Sequence, residues 1–253
     1  MHRFFVEKSH VRDNIAFITG DDAKHLEKVL RLKVGNTIEV VVGEEQEYLG
    51  EIMTLEGKSH QVKLLEPSDT LRESPLKITL YQGLPKASKM ELIIQKAVEL
   101  GVYRIVPVMN ERSVVQLKTE KDQLKKQERW QKIAYEAAKQ SKRLIIPRVT
   151  LPMEFNEAMV NLSEEGQVVA YEDEKKTGLK DVPFINKDQD QKSSLRSIGL
   201  WVGPEGGFTK EEIKSIKDKK GYSVTLGPRI LRTETAGLAL ITMVQYECGD
   251  LGG

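Results

Sequence analysis

Two units of different architecture are predicted: a small β-barrel with an inserted helix over residues 1 to 72, and an α/β domain with a mainly parallel sheet over residues 73 to 253. Three observations carry this. Short alternating or β-rich runs fill the first 70 residues or so, Pro67-Ser68-Asp69 and Ser74-Pro75 then punctuate a linker, and from Leu76 strand and helix patterns alternate.

In the first unit the strand runs are Asn14 to Thr19, Thr37 to Val42, Tyr48 to Thr54 and Gln61 to Leu65, with one helical pattern between Asp21 and Leu32. In the second, Lys77 to Gln82 reads as a strand. Met90, Ile93, Ile94, Ala97 and Leu100 then form the apolar stripe of a helix that Gly101 ends. Val102 to Met109 is the next strand, 120 to 142 a long helix, and Val168 to Tyr171 and Ile198 to Val202 are further strands. Tyr222 to Leu226 is the last strand, and the final helix runs to about Cys248 with Thr233 as its capping residue. Such alternation predicts a parallel sheet covered by helices on both faces. Between Glu172 and Ser197 the chain is rich in Lys, Asp, Gln and Ser and reads as a long loop.

Two turns stand out. Gly203-Pro204-Glu205-Gly206-Gly207-Phe208 follows the strand ending at Val202, and Leu226-Gly227-Pro228-Arg229-Ile230-Leu231-Arg232-Thr233-Glu234-Thr235-Ala236 follows the last strand. Each opens a helix, which is where an α/β protein builds a ligand site. Glycines let the backbone of the first turn bend sharply and approach a ligand. The second offers peptide groups for a nucleobase edge, and two guanidiniums and a carboxylate for a reacting group. Together they read as two walls of one pocket.

Composition bounds the remaining classes. Lys and Arg number 39 against 38 Asp and Glu, a net charge of +1, which argues against a general nucleic-acid coat. The charge is nevertheless unevenly placed, with basic runs between Lys118 and Arg148 and through the N-terminal region. The single cysteine, Cys248, excludes an internal disulfide, a cysteine-rich zinc site and a redox pair, and His2, His10, His25 and His60 lack ligand spacing, so no metal site is expected. No apolar run reaches bilayer length and the start has no signal-like core, so a soluble cytoplasmic protein is expected. There is no G-x-G-x-x-G after a strand and no G-x-x-x-x-G-K-[ST].

GPEGGF at 203 to 208 and LGPRILRTETA at 226 to 236 resemble the signature of the RsmE family, bacterial 16S ribosomal RNA uridine N3 methyltransferases of the SPOUT superfamily. MHRFFV at the start, His25, Leu30, Arg31 and Gly35, the stretch QGLPKASKMELIIQKAVELGV at 82 to 102, and the residues Arg129, Trp130, Ile133, Glu136, Ala137, Gln140 and Arg143 are also similar to the family. The resemblance spans nearly the whole chain, but 173 to 197 carries no motif. It implies a PUA-like N-terminal barrel that binds RNA and a SPOUT domain whose last segment forms a trefoil knot, an exception to the usual rule. It also implies a homodimer, and S-adenosylmethionine held bent in the knot.

By the same resemblance the cofactor would meet Tyr171, Glu172, Val202, Gly203, Pro204, Glu205 and Gly206 on one side. Leu226, Gly227, Arg229, Ile230, Leu231, Thr235 and Ala236 would form the other. RNA contact is assigned to Arg3, Arg12, Lys24, His25, Arg31, Lys86, Arg129 and Arg143. The chemistry is methyl transfer from a sulfonium to an imide nitrogen, which becomes a good nucleophile only as its proton leaves. An arginine near a uracil carbonyl would stabilise the imide anion and a carboxylate could accept the proton, so Arg232 and Glu234 are the candidates for those two roles. Two other classes compete. A non-catalytic RNA-binding module has no need of a cofactor pocket, and an NAD enzyme would carry the dinucleotide fingerprint that is missing here.

Overall fold

The computed structural model describes residues 1–57, 59–69, 72–185 and 195–252. Its contacts divide the chain into two units, Met1–Glu73 with Ala138–Ile146, and Ser74–Ala137 with Pro147–Gly253.

The first unit is a curled six-stranded sheet. Its strands are β1 (Arg3–Val6), β2 (Val11–Arg12), β3 (Ile15–Thr19), β4 (Thr37–Val42), β5 (Gln46–Thr54) and β6 (Ser59–Ser68), in the order β1-β4-β5-β6-β3-β2. β1 pairs with β4 in parallel and all other neighbours are antiparallel. Alternation decides the faces: Phe4 and Val6, Ala16 and Ile18, Ile38 and Val40, Val62 and Leu64 all turn inward to one core. Helix α1 (Gly20–Lys24) continues into a wider turn over His25–Val29, closed by Leu30 N–H donating to His25 O at 2.9 Å, and contributes Ala23 and Leu26 to that core. The single predicted helix is therefore two tighter and wider turns. Arg31, at φ +52°, ends it.

Segment 138–146 belongs to this unit because of a buried polar clasp. The Arg3 side chain, about 1 % exposed, donates to Glu39 Oε2 at 3.0 Å, to Glu47 Oε2 at 2.6 Å, and to the carbonyls of Lys142 and Arg143 at 2.8 and 2.7 Å. Burial pushes the Glu39 carboxyl up, but Lys142 and Arg3 beside it prevail and hold it below the usual range. Arg143 is buried in turn against Glu73, at 2.6 Å, whose other oxygen accepts the Leu144 and Ile145 amides at 2.8 and 3.1 Å.

In the second unit every sheet pairing is parallel. The elements are β7 (Lys77–Gly83), α2 (Lys89–Glu99), β8 (Arg104–Met109), α3 (Glu120–Gln140), β9 (Arg148–Val149), β10 (Met153–Glu154), α4 (Phe155–Val160), β11 (Gly166–Ala170), β12 (Ser197–Val202), α5 (Lys210–Asp218), β13 (Tyr222–Val224) and α6 (Thr233–Cys248). The last turn of α3 counts with the first unit. Strand order is β10-β8-β7-β12-β11-β13, with β9 also on β8. Central strands are buried on both faces, as β12 shows from Ile198 to Val202. Tyr81 and Trp201 lie opposite each other on β7 and β12 and stack at 4.1 Å, with Phe155 edge-on to the indole. On α6's side of the sheet, that helix packs on β7, β12 and α2.

The polar stretch predicted as a long loop falls partly, at 186–194, outside the described residues. What is described before it is built into the fold. Leu179, Val182 and Ile185 are buried around a single turn at Leu179–Asp181, and Thr225 N–H donates to Thr177 O at 2.9 Å. No helix among the described residues is long and apolar enough to cross a membrane.

Candidate functional site

β12 lies between β7 and β11, and β13 lies outside β11, so the segments leaving β7, β11, β12 and β13 emerge along one carboxyl edge of the sheet. Between them is a cavity of about 490 Å³, within the usual range of small-molecule sites.

The turn after β12 forms one wall. Gly207 N–H donates to Pro204 O at 2.9 Å, and Gly207 adopts φ +67° with Glu172 packed so close that a Cβ there would lie 2.2 Å from its carboxylate. Thr209 then caps α5 in a reciprocal box: Glu212 N–H donates to Thr209 Oγ1 at 3.2 Å, and Thr209 N–H to Glu212 Oε2 at 2.9 Å. Glu212 Oε1 accepts from Asn110 Nδ2 and Glu111 N–H, which ties the turn to the end of β8.

Residues 225 to 232 form the facing wall. Gly227, at φ +110°, donates its N–H to Thr225 Oγ1 at 3.2 Å. Among the described residues the amides of Leu226, Arg229, Ile230 and Leu231 have no hydrogen-bond acceptor, so the loop presents free peptide groups to the cavity. The third wall is Ala170, Tyr171, Glu172 and Lys175, after β11. It is braced from behind by Glu174, which accepts from Ser223 Oγ at 2.7 Å and from the Lys176 and Thr177 amides at 3.1 and 3.2 Å. The Ser223 hydroxyl and then those amides push the Glu174 carboxyl down to about 2.

Thr233 locks the roots of two walls together. Its hydroxyl donates to Gly203 O at 2.6 Å and accepts from Gln82 Nε2, a fully buried side chain of β7, at 2.9 Å. The expectation that Thr233 caps α6 is thereby corrected: Arg232 is the N-cap residue, and the Thr233 hydroxyl is committed across the cavity root instead.

Most of the residues expected at the pocket do line it: Tyr171, Glu172, Val202, Gly203, Pro204 and Glu205 on one side, and Leu226, Gly227, Arg229, Ile230, Leu231, Arg232 and Ala236 on the other. Three do not. Gly206 backs onto Arg112, which donates to its carbonyl at 3.2 Å, and Thr235 is exposed on α6 away from the wall. Glu234 also lies off the wall, its Oε2 buried and 3.3 Å from the Lys89 ammonium. Lys89, at the cavity lip, was not anticipated. It also donates to Glu205 Oε1 at 2.9 Å, and these pairings raise its affinity for the proton, Glu205 foremost. Burial pushes Glu205 up, but Lys89 and the Lys86 amide more than offset this and hold it below the usual carboxylate range.

Of the basic residues expected to meet RNA, Arg12, Lys24, Arg31, Lys86 and Arg129 are exposed and His25 is half-buried. Lys24 pairs with Asp21 and Arg129 with Glu91. Arg3 and Arg143 are corrected by their burial: both guanidiniums are consumed inside the first unit and have no face to offer a phosphate.

Comparison with known proteins agrees with this geometry. Residues 72–245 match the family model described as RNA methyltransferase domain, and residues 18–65 the RNA methyltransferase PUA domain. The chain is 36 % identical to ribosomal RNA small subunit methyltransferase E of Bacillus subtilis, over 100 % of this chain and 99 % of the relative. The chain belongs to the ribosomal RNA small subunit methyltransferase E family. Among solved structures, the Neisseria gonorrhoeae ribosomal RNA small subunit methyltransferase E bound to S-adenosyl methionine has 31 % identity, covers 99 % of both chains and superposes with a TM-score of 0.82. A Legionella pneumophila protein in complex with the cofactor SAM has 29 % identity, 98 % coverage of both chains and a TM-score of 0.85. The curled N-terminal sheet of this family member is thus a PUA-type domain, and its parallel sheet the RNA methyltransferase domain.

Proposed function

We propose that this protein methylates N3 of a specific uridine in 16S ribosomal RNA of the small ribosomal subunit, using S-adenosylmethionine. The observation that carries the reading is the cavity at the carboxyl edge of the sheet, with the free amides of Leu226, Arg229, Ile230 and Leu231 on its wall, in a chain whose similar structures hold that cofactor.

The residues present fit the cofactor. The peptide edge of 226 to 231 suits an adenine ring flanked by the apolar Leu226 and Ala236, and Gly203 and Gly207 keep the facing wall free of side chains. The Glu172 carboxylate, on the third wall and packed against Gly207, suits the amino group. When bound, S-adenosylmethionine supplies the methyl group from its sulfonium. The protein's task is to hold donor and acceptor in line, worth on the order of 7–11 kcal/mol for well-oriented reactants, and to favour the imide anion.

Arg232 is proposed for that second task. It is exposed on the cavity wall, and among the described residues its guanidinium makes no hydrogen bond or ion pair, so it is open to a uracil carbonyl that gathers charge as the proton leaves. Glu234, off the wall and beside Lys89, is not positioned to take that proton in this arrangement, and a positioning role suits it better. Arg229, expected to orient the loop, is exposed on it and makes no hydrogen bond or ion pair among the described residues.

RNA contact through Arg12, Lys24, His25 and Arg31 of the PUA domain and Lys86 and Arg129 of the methyltransferase domain belongs to the same reading, as do a homodimer and a cytoplasmic location. A trefoil knot is supported by the path of the last segment. From β13, beside β11, the chain crosses the carboxyl ends of the strands between the 171–178 and 203–207 segments to reach α6 on β12 and β7.

The test is mass mapping of methylated nucleosides in 16S ribosomal RNA from cells with and without the gene. Loss of one N3-methyluridine, restored by the gene, is expected; an unchanged methylation pattern refutes the proposal.

A further inference from the structure

The charges at the cavity lip are not distributed evenly between held and open. Lys89, the first residue of α2, reaches two carboxylates from distant parts of the chain: Glu205 of the turn after β12, at 2.9 Å, and Glu234 of the first turn of α6, at 3.3 Å. The carboxylates differ in what else supports them. Glu205 also accepts from the Lys86 amide at 3.2 and 3.3 Å, whereas Glu234 Oε2 is buried with no hydrogen-bond partner, so the Lys89 ammonium is its counter-ion. The guanidiniums of Arg229 and Arg232, in the loop leading into that turn, are exposed and make no hydrogen bond or ion pair among the described residues. These two acids are held by Lys89, and the two arginines are left open.

We propose that Lys89 is a positioning residue for methyl transfer: by holding Glu234 it keeps that carboxylate off Arg232, so that the guanidinium stays available to the anionic target base. This rests on the reading that Arg232 faces the base. The physical reason is competition for one cation. An arginine and a carboxylate form a strong charge-assisted pair, and a guanidinium so engaged has little field left for a second anion. Without Lys89, Glu205 keeps the Lys86 amide, but Glu234 keeps nothing, and a half-buried carboxylate with no partner moves to the nearest uncommitted donor. At this junction those donors are the open guanidiniums, and even an unpaired Glu234, two residues from Arg232, would oppose negative charge building on the base.

The test uses the full chain with 16S ribosomal RNA and S-adenosylmethionine both saturating, reading single-turnover methylation, with donor affinity by calorimetry. Lys89→Met is expected to slow the chemical step about 10- to 100-fold, less than the roughly 100- to 1000-fold for outright loss of a preorganised donor because Arg232 itself remains, with donor affinity within about two-fold. Lys89→Arg should recover most of the rate. The decisive variant is Lys89→Met with Glu234→Gln, which removes the competing carboxylate and should also recover most of it. A Lys89→Met enzyme whose rate is normal, or is not rescued by Glu234→Gln, or which loses only donor affinity, overturns the proposal. Arg232→Ala separates the two levels. If it leaves the rate unchanged, the reading of Arg232 has failed and takes this inference with it. If it slows the rate while the double variant gives no rescue, only the role of Lys89 has failed.

Discussion

Thr233→Val should separate the two cavity walls without emptying the space between them. The substitution keeps the shape and removes one hydroxyl, and with it the 2.6 Å bond to Gly203 O and the 2.9 Å bond from Gln82 Nε2. Gln82 still donates to Gly83 O at 3.0 Å, so its amide nitrogen loses one of two acceptors, but the Gly203 carbonyl loses this donor at a position where Thr233 excludes most solvent. Leaving one such buried group unsatisfied costs about 1–3 kcal/mol. The second broken bond adds about 0.5–1.5 kcal/mol, so a stability loss of about 2–4 kcal/mol is expected in urea denaturation. Part of this appears at the cavity, because the bond defines where the turn at 203 to 207 sits against the loop at 226 to 232. If the donor must restore half of that alignment on binding, its affinity falls by about 1–2 kcal/mol, roughly 5- to 30-fold. Thr233→Ser, which keeps the hydroxyl, should retain donor affinity by calorimetry. A folded Thr233→Val protein that binds S-adenosylmethionine as tightly as the unaltered chain would refute the idea that this bond aligns the walls.

Arg232→Ala should leave donor affinity nearly intact and cut single-turnover methylation by about 100-fold, with partial recovery as pH rises because solvent then shares the deprotonation; a normal rate at saturation places Arg232 in the pocket wall only. Glu174, held down to about 2 from an ordinary 4.5, contributes stability that is present above pH 4.5 and is lost as pH falls toward 2. Acid titration followed by Tyr171 fluorescence should therefore show the third wall loosening in that window, and Glu174→Gln should abolish the step; an identical titration in the variant would show that the brace contributes nothing. Neutralising Arg12, Lys24 and Arg31 should weaken RNA binding and lower its salt slope by about one per lost phosphate contact, measured by filter binding. Equal loss of donor affinity would point to misfolding instead.

What the sequence made legible follows from how local each signal is. The strand at Thr37–Val42 has the bounds its alternation predicts, and the stripe from Met90 to Leu100 is a buried helix face closed by Gly101 at φ +85°. The two glycine-containing turns were readable because each is one continuous segment between apolar elements. The missed strands, β1, β2, β9 and β10, have two to four residues each, too few for a period to declare itself. Arg3 looked like one more cation in a basic region, and its true partners lie 36, 44, 139 and 140 residues away. Lys89 was hidden in the same way. Nothing in Lys86-Ala87-Ser88-Lys89 distinguishes the second lysine until folding brings Glu205 and Glu234 to it. The wall at 171 to 178 was half legible: its place after a strand marked it, but its polar composition concealed that Glu174 ties it down.

The clasp around Arg3 also bears on the order in which the protein can be made. The PUA unit is not contained in the first 73 residues of the chain, since Arg3, Glu39 and Glu73 find their partners in segment 138–146. A ribosome adding about 5–20 residues per second takes about 4–15 s to travel from Glu73 to Ile146. For that interval Arg3 lacks two of its four acceptors, the carbonyls of Lys142 and Arg143, and Glu39 and Glu73 lack the cations of that segment. The PUA unit must therefore wait, incomplete, for segment 138–146. A fragment cut at the linker would stay permanently at that unfinished stage, and a fragment begun at Ser74 would carry away the missing piece.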